Sequence, residues 1–245
     1  MILRQILSDI LFPVRCPVCD RVLDVGAIIC PECVHVLHRV EEPVCMHCGK
    51  PLDREEREYC ADCSRREKSN YEKGVALWVY DQWARSSIAR FKYGNRQEYA
   101  VYYARELVRA YGEVIATWDA DVLIPVPVHK KRLRQRGYNQ AEVLAKELGR
   151  KLGIPVVDYL VRTVKTKAQK ELDHKSRQRN LQHAFALAKP YKVLYQFPKC
   201  VIIVDDIYTT GSTIEACAGA LKAWGIERVY YVSLCIGQKD CFTLI

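Results

Sequence analysis

The chain has 245 residues, of which 49% are apolar and 27% are charged. This composition is typical of a soluble globular protein, and it excludes a disordered or collagen-like chain. No run approaches the roughly 20 apolar residues that a membrane-spanning helix requires. The 38 basic and 29 acidic side chains give a net charge of +9, which suits an anionic partner.

Residues 1–13 are predicted to form a short amphipathic helix that docks on the protein's own core. Their apolar side chains recur at helical spacing, and Pro13 ends the pattern. Polar residues interrupt the apolar run, so it does not fit a secretory signal. We therefore expect a cytosolic protein. Binding of this helix to a membrane surface is the weaker alternative, because its polar face is not rich in lysine or arginine.

Eight of the twelve cysteines lie within the first 63 residues, as four Cys-x-x-Cys pairs in a row. Two residues between thiolates let a tight turn place both sulfurs on one ion, and two such turns complete a tetrahedral site. Stable disulfides are rare in the cytosol, so the pattern predicts zinc. The predicted ligands are Cys16, Cys19, Cys30, Cys33, Cys45, Cys48, Cys60 and Cys63.

The eight ligands suffice for about two zinc ions, each held by four thiolates. We favour sequential pairing, with the first four cysteines on one ion and the last four on the other; interleaved ribbons are the alternative. No coordination position remains for water, so the zinc is expected to be structural. His35, His38 and His47 are interpreted as surface residues, and Gly49 as a turn residue with positive φ.

The sequence divides into the helix at 1–13, the zinc module at 14–66 and an α/β domain at 74–245, with the charged residues 64–73 as a linker. In the α/β domain, an apolar strand at 201–204 precedes Asp205 and Asp206. A hydroxyl-rich loop at 209–213 and a helix at about 214–224 follow. Backbone amides and the helix dipole make such a strand–loop–helix unit an anion site.

This segment resembles the PRPP-binding motif of type I phosphoribosyltransferases. The resemblance implies their fold, a parallel sheet flanked by helices, here preceded by the four-cysteine zinc ribbons. It also implies that Asp205 and Asp206 hold the ribose hydroxyls, with Mg2+ bound alongside PRPP. The 5-phosphate would lie on Thr209, Thr210, Gly211, Ser212 and Thr213.

An earlier strand is expected to carry the pyrophosphate loop of such a fold. A strand at about 122–125 and a loop at about 127–130 fit this role. Five basic residues follow within 130–136, and their position beside the loop favours anion binding over a merely solvated face. The residues expected to contact pyrophosphate are Val128, His129, Arg132, Arg136 and Lys92.

A second basic stretch, residues 162–179, has little apolar periodicity and carries seven basic and two acidic side chains. Phosphoribosyltransferases often have a mobile flap at this point, which closes over the site and excludes water. The expected flap residues are Gln169, Arg177 and Asn180. Tyr93 and Tyr138 are left open between contact with an acceptor substrate and simple packing.

Three segments resemble signatures of the ComF family of competence proteins. They are Phe91-Lys92-Tyr93-Gly94, Arg136-Gly-Tyr-Asn-Gln140, and the residues from Gln169 to Phe185. Cys-x-x-Cys ribbons precede the transferase-like domain in that family too. The resemblance implies a role in the uptake of transforming DNA, with single-stranded DNA and a ComFA-like helicase as partners. It also implies association with the inner face of the membrane through the uptake machinery.

The expected function is therefore binding of PRPP or another 5-phosphoribosyl group with Mg2+, with phosphoribosyltransferase-type activity, in natural competence. Two alternatives stay open: a non-catalytic DNA-binding adaptor of the uptake machinery, and a nucleobase-salvage phosphoribosyltransferase. Cys200, Cys217 and Cys235 lie in apolar contexts and are expected to pack as small hydrophobic residues.

Overall fold

The computed structural model describes residues 13–163, 184–188 and 197–237. The helix expected at 1–13 falls outside these residues except for its last position. The expected flap residues Gln169, Arg177 and Asn180 fall outside them as well. Among the helices of the described segments, none combines the length and apolar character needed to cross a bilayer.

The cysteine-rich segment consists of two turns of matching geometry with little regular structure. Cys16 and Cys45 each donate a backbone hydrogen bond to a residue five positions ahead, at 2.8 Å. Asp20 and Gly49, each following the second cysteine of its pair, have φ of 63° and 64°. The positive φ expected at Gly49 is confirmed. The other elements here are a 3-10 turn, Pro31–Cys33, and helix α1, Ala61–Ser64.

A four-stranded parallel sheet forms the centre of the molecule, in the order β1-β6-β5-β2. Its strands are β1 Lys73–Val79, β2 Val122–Pro125, β5 Cys200–Tyr208 and β6 Arg228–Ile236. A separate antiparallel pair is formed by β3 Leu160–Arg162 and β4 Phe185–Leu187. The order places β5 between β6 and β2, so the end of β5 lies inside the sheet rather than at an edge.

In the described part of the chain, five helices follow the short α1. They are α2 Gln82–Tyr93, α3 Tyr99–Ala116, α4 Lys130–Arg136, α5 Gln140–Leu152 and α6 Ser212–Ala223. The Asp81 carboxylate starts α2 by accepting hydrogen bonds from two first-turn amides. Gly153, in the left-handed conformation at φ 72°, ends α5. The basic residues 130–136, which follow the loop after β2, form helix α4.

Both faces of the sheet are buried, each in its own apolar core. Ile202 and Val204 of β5 pack in one core with α2, α3 and α5. Val201 and Ile203 pack in the other core with α6. Neighbouring residues of a strand point to opposite faces, so the alternation along β5 separates the two cores. The expected architecture, a parallel sheet flanked by helices and preceded by four-cysteine ribbons, is confirmed.

The segment at 64–73 differs from the exposed linker that its charge suggests. Tyr71 is 2% exposed, and its ring stacks on His47 at a centroid distance of 4.3 Å. The His47 ring also hydrogen-bonds Ser69 and the carbonyl of Glu72, at 3.1 and 3.0 Å. His47 is thus half-buried rather than a surface residue. The polar side chains of this segment hydrogen-bond one another and α6. Its high charge therefore does not make it an exposed linker.

Strand β5 is longer than its apolar run. It continues through Asp205 and Asp206 to Tyr208, because β6 pairs with it along its whole length. Helix α6 begins at Ser212, so the loop between them is only residues 209–211. Ser212 and Thr213 belong to the first turn of the helix, not to the loop as expected.

Candidate functional site

The eight N-terminal cysteines form two clusters in sequential pairing. Within each cluster the four Sγ atoms all lie within 4.8 Å of one another. The Cys16–Cys30 and Cys48–Cys60 sulfur distances are both 3.6 Å. A zinc ion at about 2.3 Å from each of four sulfurs places them about 3.8 Å apart, so the clusters fit tetrahedral zinc. The sequential solution replaces the interleaved alternative.

A buried acid pair lies near the carboxyl end of β5. Asp205 and Asp206 are 8% and 4% exposed, and the Asp206 amide donates to Asp205 Oδ1 at 2.9 Å. Lys92, near the end of α2, places its Nζ 2.5 Å from Asp206 Oδ2. The structure thus joins two predicted groups, the ribose acids and a predicted pyrophosphate contact, that are 114 positions apart in the chain.

The charges of this cluster perturb one another. Burial opposes the charged form of Lys92, but the charge and hydrogen bond of Asp206 outweigh it and raise the lysine pKa. Burial, together with the charge of Asp206, raises the pKa of Asp205 well above its usual range. Lys92 alone cannot neutralise both aspartates when both are ionised. The uncompensated negative charge favours binding of a further cation.

Loop 209–211 and the first turn of α6 follow directly. Gly211 has φ of 77°, and a Cβ at this position would overlap the Tyr208 side chain. Glycine is therefore required for the turn. The hydroxyls of Thr210 and Ser212 hydrogen-bond each other at 2.9 Å, whereas Thr209 is exposed. Since Gly211 has no side chain to cap α6, the first-turn amides remain available to an anion.

The pyrophosphate loop expected at about 127–130 is residues 126–129 in the structure, because α4 already begins at Lys130, and it runs beside the acids. The Val126 amide donates to the Val204 carbonyl at 2.9 Å, one residue before Asp205. Asn139 holds the same loop, because its Nδ2 donates to the Val126 carbonyl at 3.0 Å. Val128 is half-buried, and His129 starts α4 by accepting from the Lys131 amide at 3.1 Å.

Arg136 is organised by its neighbours, at the end of α4. Its guanidinium lies 4.5 Å from the centroid of the Tyr93 ring and donates to the Tyr93 hydroxyl at 2.8 Å. It also donates to Gln140 Oε1 at 2.8 Å. Tyr93 is 72% exposed and adjoins Lys92, so the pair borders the acid site. Tyr138, by contrast, is buried against Phe91 and packs rather than facing a ligand.

Arg162 is a further cation near the site. In the sequence it is one of the seven basic residues of the stretch at 162–179. It lies in β3, with its guanidinium 5.5 Å from the centroid of the Phe185 ring. Burial and the charge of Arg132 lower its pKa, while Cys217 and Asp205 oppose the shift. The Arg162 guanidinium therefore lies within range of the charges of Arg132 and Asp205. No sequence signal distinguishes Arg162 from the other basic residues of the stretch.

The remaining predicted residues fall into two groups. Cys200, Cys217 and Cys235 are each at most 1% exposed, so their expected role as small packed residues is confirmed. Within the described ranges, the structure brings together Lys92, both aspartates, the 126–129 loop and the 209–213 segment. It places Arg132 on the exposed face of α4 and Arg136 beside Tyr93.

Comparison with known protein families supports the zinc assignment. The family described as a double zinc ribbon domain matches residues 7–64. With the two tetrahedral cysteine clusters, this match establishes two structural zinc sites.

Several characterised proteins are similar over most of the chain. Competence protein F of Haemophilus influenzae is 35% identical over 192 residues, covering 76% of this chain and 82% of that protein. The DNA utilization protein YhgH of Escherichia coli K12 is 28% identical, with 91% and 97% covered. The competence protein ComFC of Bacillus subtilis is 24% identical, with 80% and 79% covered.

A solved structure with a similar chain is the purine phosphoribosyltransferase of Pyrococcus horikoshii, at 18% identity and a TM-score of 0.33. It covers 59% of this chain and 93% of its own. The identity and coverage shared with competence protein F establish the family independently of this structure. The chain belongs to the ComF family of competence proteins.

Proposed function

We propose that the protein binds PRPP, or another 5-phosphoribosyl ligand, together with Mg2+, and that it has phosphoribosyltransferase-type activity. One observation carries the proposal: a buried acid pair and a glycine-turn anion loop lie together at the end of one strand, beside the 126–129 loop. Phosphate on the loop and ribose hydroxyls on the acids would occupy the two halves of one ligand.

The donor set also fits Mg2+, which prefers one or two carboxylates together with substrate phosphates. Asp205 and Asp206 would hold it, and bound Mg2+ would neutralise charge on a departing pyrophosphate. Lys92 neutralises Asp206 in the structure described, and it is a group that binding of a ligand or cation would redirect. Arg132 and Arg136 would stabilise the anionic leaving group from α4.

The biological role follows from the relatives. Two of them are named competence proteins and one a DNA utilization protein. We infer that this chain acts in natural competence, in handling the single-stranded DNA that enters the cell, together with proteins of the uptake machinery.

Calorimetry with PRPP and Mg2+ tests the ligand assignment. The native protein should bind, and the double variant Asp205→Asn/Asp206→Asn should give no measurable heat. An exposed carboxylate, Asp158, provides the matched control Asp158→Asn, which should bind as the native protein does. Zinc content and circular dichroism check folding. Equal binding by the double variant would contradict the site assignment.

DNA binding is a second candidate function, favoured by the exposed cations of α4. Lys130, Lys131, Arg132 and Arg134 are all exposed on one seven-residue helix. Cations that contact phosphates release counterions, so binding weakens as salt rises. Single-stranded DNA should bind less tightly, and with a shallower salt dependence, after Arg132→Ala and Arg136→Ala. Unchanged affinity and salt dependence would exclude this surface.

A further inference from the structure

A single arginine joins the second zinc ribbon to loop 209–211. Arg66 follows the ligand Cys63 by three residues, and its side chain is 13% exposed. Its Nη2 donates to the Thr210 carbonyl at 3.2 Å, and its Nη1 donates to Glu215 Oε2 at 3.2 Å. One planar guanidinium therefore fixes both the loop and the first turn of α6.

The zinc site holds the backbone of this arginine. The Arg66 amide donates to the carbonyl of the ligand Cys63 at 3.1 Å, and Ser64 donates to the carbonyl of the ligand Cys60 at 2.9 Å. The turn that carries Arg66 is thus built on two of the four metal ligands. Its position depends on the ribbon being folded, and ribbons of this size depend on their metal.

Glu215 shows why this contact matters for an anion. A carboxylate in the first turn of α6 would repel a phosphate bound there. The segment after the ribbon engages both of its oxygens: Oε1 accepts from the Asn70 amide and side chain at 2.7 and 2.8 Å, and Oε2 accepts from Ser69 at 3.0 Å as well as from Arg66. The Arg66 charge compensates the carboxylate close to the proposed phosphate position.

A second route runs through stacked tyrosines. The Tyr231 hydroxyl donates to the carbonyl of the ligand Cys48 at 2.6 Å, and the Tyr231 ring stacks on Tyr208 at 4.8 Å. Tyr208 is the side chain that leaves no room for a Cβ at Gly211. Its hydroxyl also lies 3.0 Å from that of Tyr71. The ribbon therefore reaches both Thr210 and Gly211, and Arg66 links the two routes because its Nη1 also donates to the Tyr71 hydroxyl at 3.1 Å.

We propose that the second zinc ribbon is a structural part of the 5-phosphate subsite, with Arg66 as its positioning residue. The inference rests on the proposed function. Arg66 holds the Thr210 carbonyl turned toward the ribbon, which leaves the amides and hydroxyls of residues 209–213 facing the ligand. The proposed pyrophosphate site is on a different segment, the 126–129 loop and α4, so its affinity should not depend on Arg66.

The test compares Arg66→Gln with Arg57→Gln in the full-length, zinc-loaded protein. Arg57 lies in the same ribbon but is half-exposed and pairs with Asp53 at 3.1 Å. Calorimetry with ribose 5-phosphate and with Mg-pyrophosphate reads the two subsites separately. Arg66→Gln should weaken ribose 5-phosphate by about tenfold, the effect of losing charge-assisted hydrogen bonds. Mg-pyrophosphate should change by less than about twofold, and Arg57→Gln should alter neither.

Hydrogen exchange of the peptide covering 209–216 gives a readout that needs no ligand. Exchange should accelerate in Arg66→Gln and stay native in Arg57→Gln, at two zinc per chain in both. Arg66→Lys keeps the charge beside Glu215 without the fork, so it provides a milder variant with a smaller acceleration.

Native exchange at 209–216 in the Arg66 variants would overturn the inference, as would equal weakening of both ligands. Failure of the native protein to bind ribose 5-phosphate would instead contradict the proposed function. The exchange comparison would still decide whether Arg66 positions the loop.

Discussion

The two zinc ribbons are both built from two Cys-x-x-Cys pairs, which start 14 residues apart in the first and 15 in the second, but they serve opposite faces of the sheet. Cys16, Cys30 and Cys33 pack in the core that contains α2 and α3. The four cysteines of the second ribbon pack in the core that contains α6 and Tyr231 of β6. The spacing therefore sets the metal site, whereas the residues around it decide which part of the fold the site supports.

Their attachments differ accordingly. Within the described residues, the side-chain hydrogen bonds from the first ribbon to the α/β domain end on α2, on α3 or on the turn between them. Asp20 accepts from Arg96 at 2.9 and 3.2 Å and from Tyr99 at 2.6 Å. Ser87 and Arg90 donate to the backbone of residues 17 and 18. The second ribbon contacts loop 209–211 instead. Only the loss of the second ribbon should therefore weaken ligand binding.

The largest effect is expected from replacing one zinc ligand in each ribbon. Cys33→Ser and Cys63→Ser should each lower the zinc content from about two ions to one, and each should destabilise the protein by on the order of several kcal/mol. Binding of ribose 5-phosphate should fall only in Cys63→Ser. Elemental analysis and calorimetry below the unfolding temperature measure this difference. Equal loss of binding in both variants would remove the distinction between the ribbons.

An intermediate effect is expected from Asp20→Ala. Its carboxylate accepts three hydrogen bonds, two of them from an arginine, so the change should cost about 2 kcal/mol in the free energy of unfolding. Denaturant titration measures the cost. Affinity for ribose 5-phosphate should stay native, because the first ribbon supports the other face. Weaker ligand binding in this variant would show that the two faces are coupled.

The smallest effect is expected at the acid pair, Asp205 and Asp206, which adjoins loop 209–211. Burial and Asp206 raise the pKa of Asp205 above its unfolded value, so the folded protein binds this proton more tightly. The stability that this provides is complete below about pH 4 and is lost as pH rises through the raised pKa. Asp205→Asn should therefore be about 1 kcal/mol more stable than the native protein at pH 8, while losing PRPP.

Thermal unfolding between pH 5 and pH 8 checks the sign of this dependence. The gap between the variant and the native protein should widen as pH rises. A control variant at an exposed carboxylate of the first ribbon, Asp24→Asn, should follow the native curve. A gap that narrows with rising pH would mean that Asp205 is not the group that titrates.

The sequence predicts those parts of the molecule that are encoded locally. Spacing alone predicts both cysteine clusters, and the apolar run with its Thr-Gly loop predicts β5, the turn at Gly211 and α6. The residues of each are close in the chain: the cysteine clusters run from 16 to 33 and from 45 to 63, and the strand–loop–helix unit runs from 200 to 223.

The contacts that complete the site come from distant segments, and no local pattern specifies them. Lys92 reaches Asp206 across 114 positions, and Arg66 reaches Thr210 across 144. The charge of residues 64–73 suggests an exposed linker. Composition does not show that the polar groups of this segment have hydrogen-bond partners in α6. Likewise, the end of β5 depends on pairing with β6, so its apolar run understates its length.

The central claim is that the 5-phosphate of a phosphoribosyl ligand lies on residues 209–213. Amide NMR of glycine-labelled protein during a titration with PRPP and Mg2+ tests it most directly. Gly211 and Gly153 both have positive φ beside a helix end, but only Gly211 lies at the proposed site. The Gly211 amide should shift and saturate with the ligand, while Gly153 stays fixed. A ligand that saturates the protein without moving Gly211 would contradict the claim.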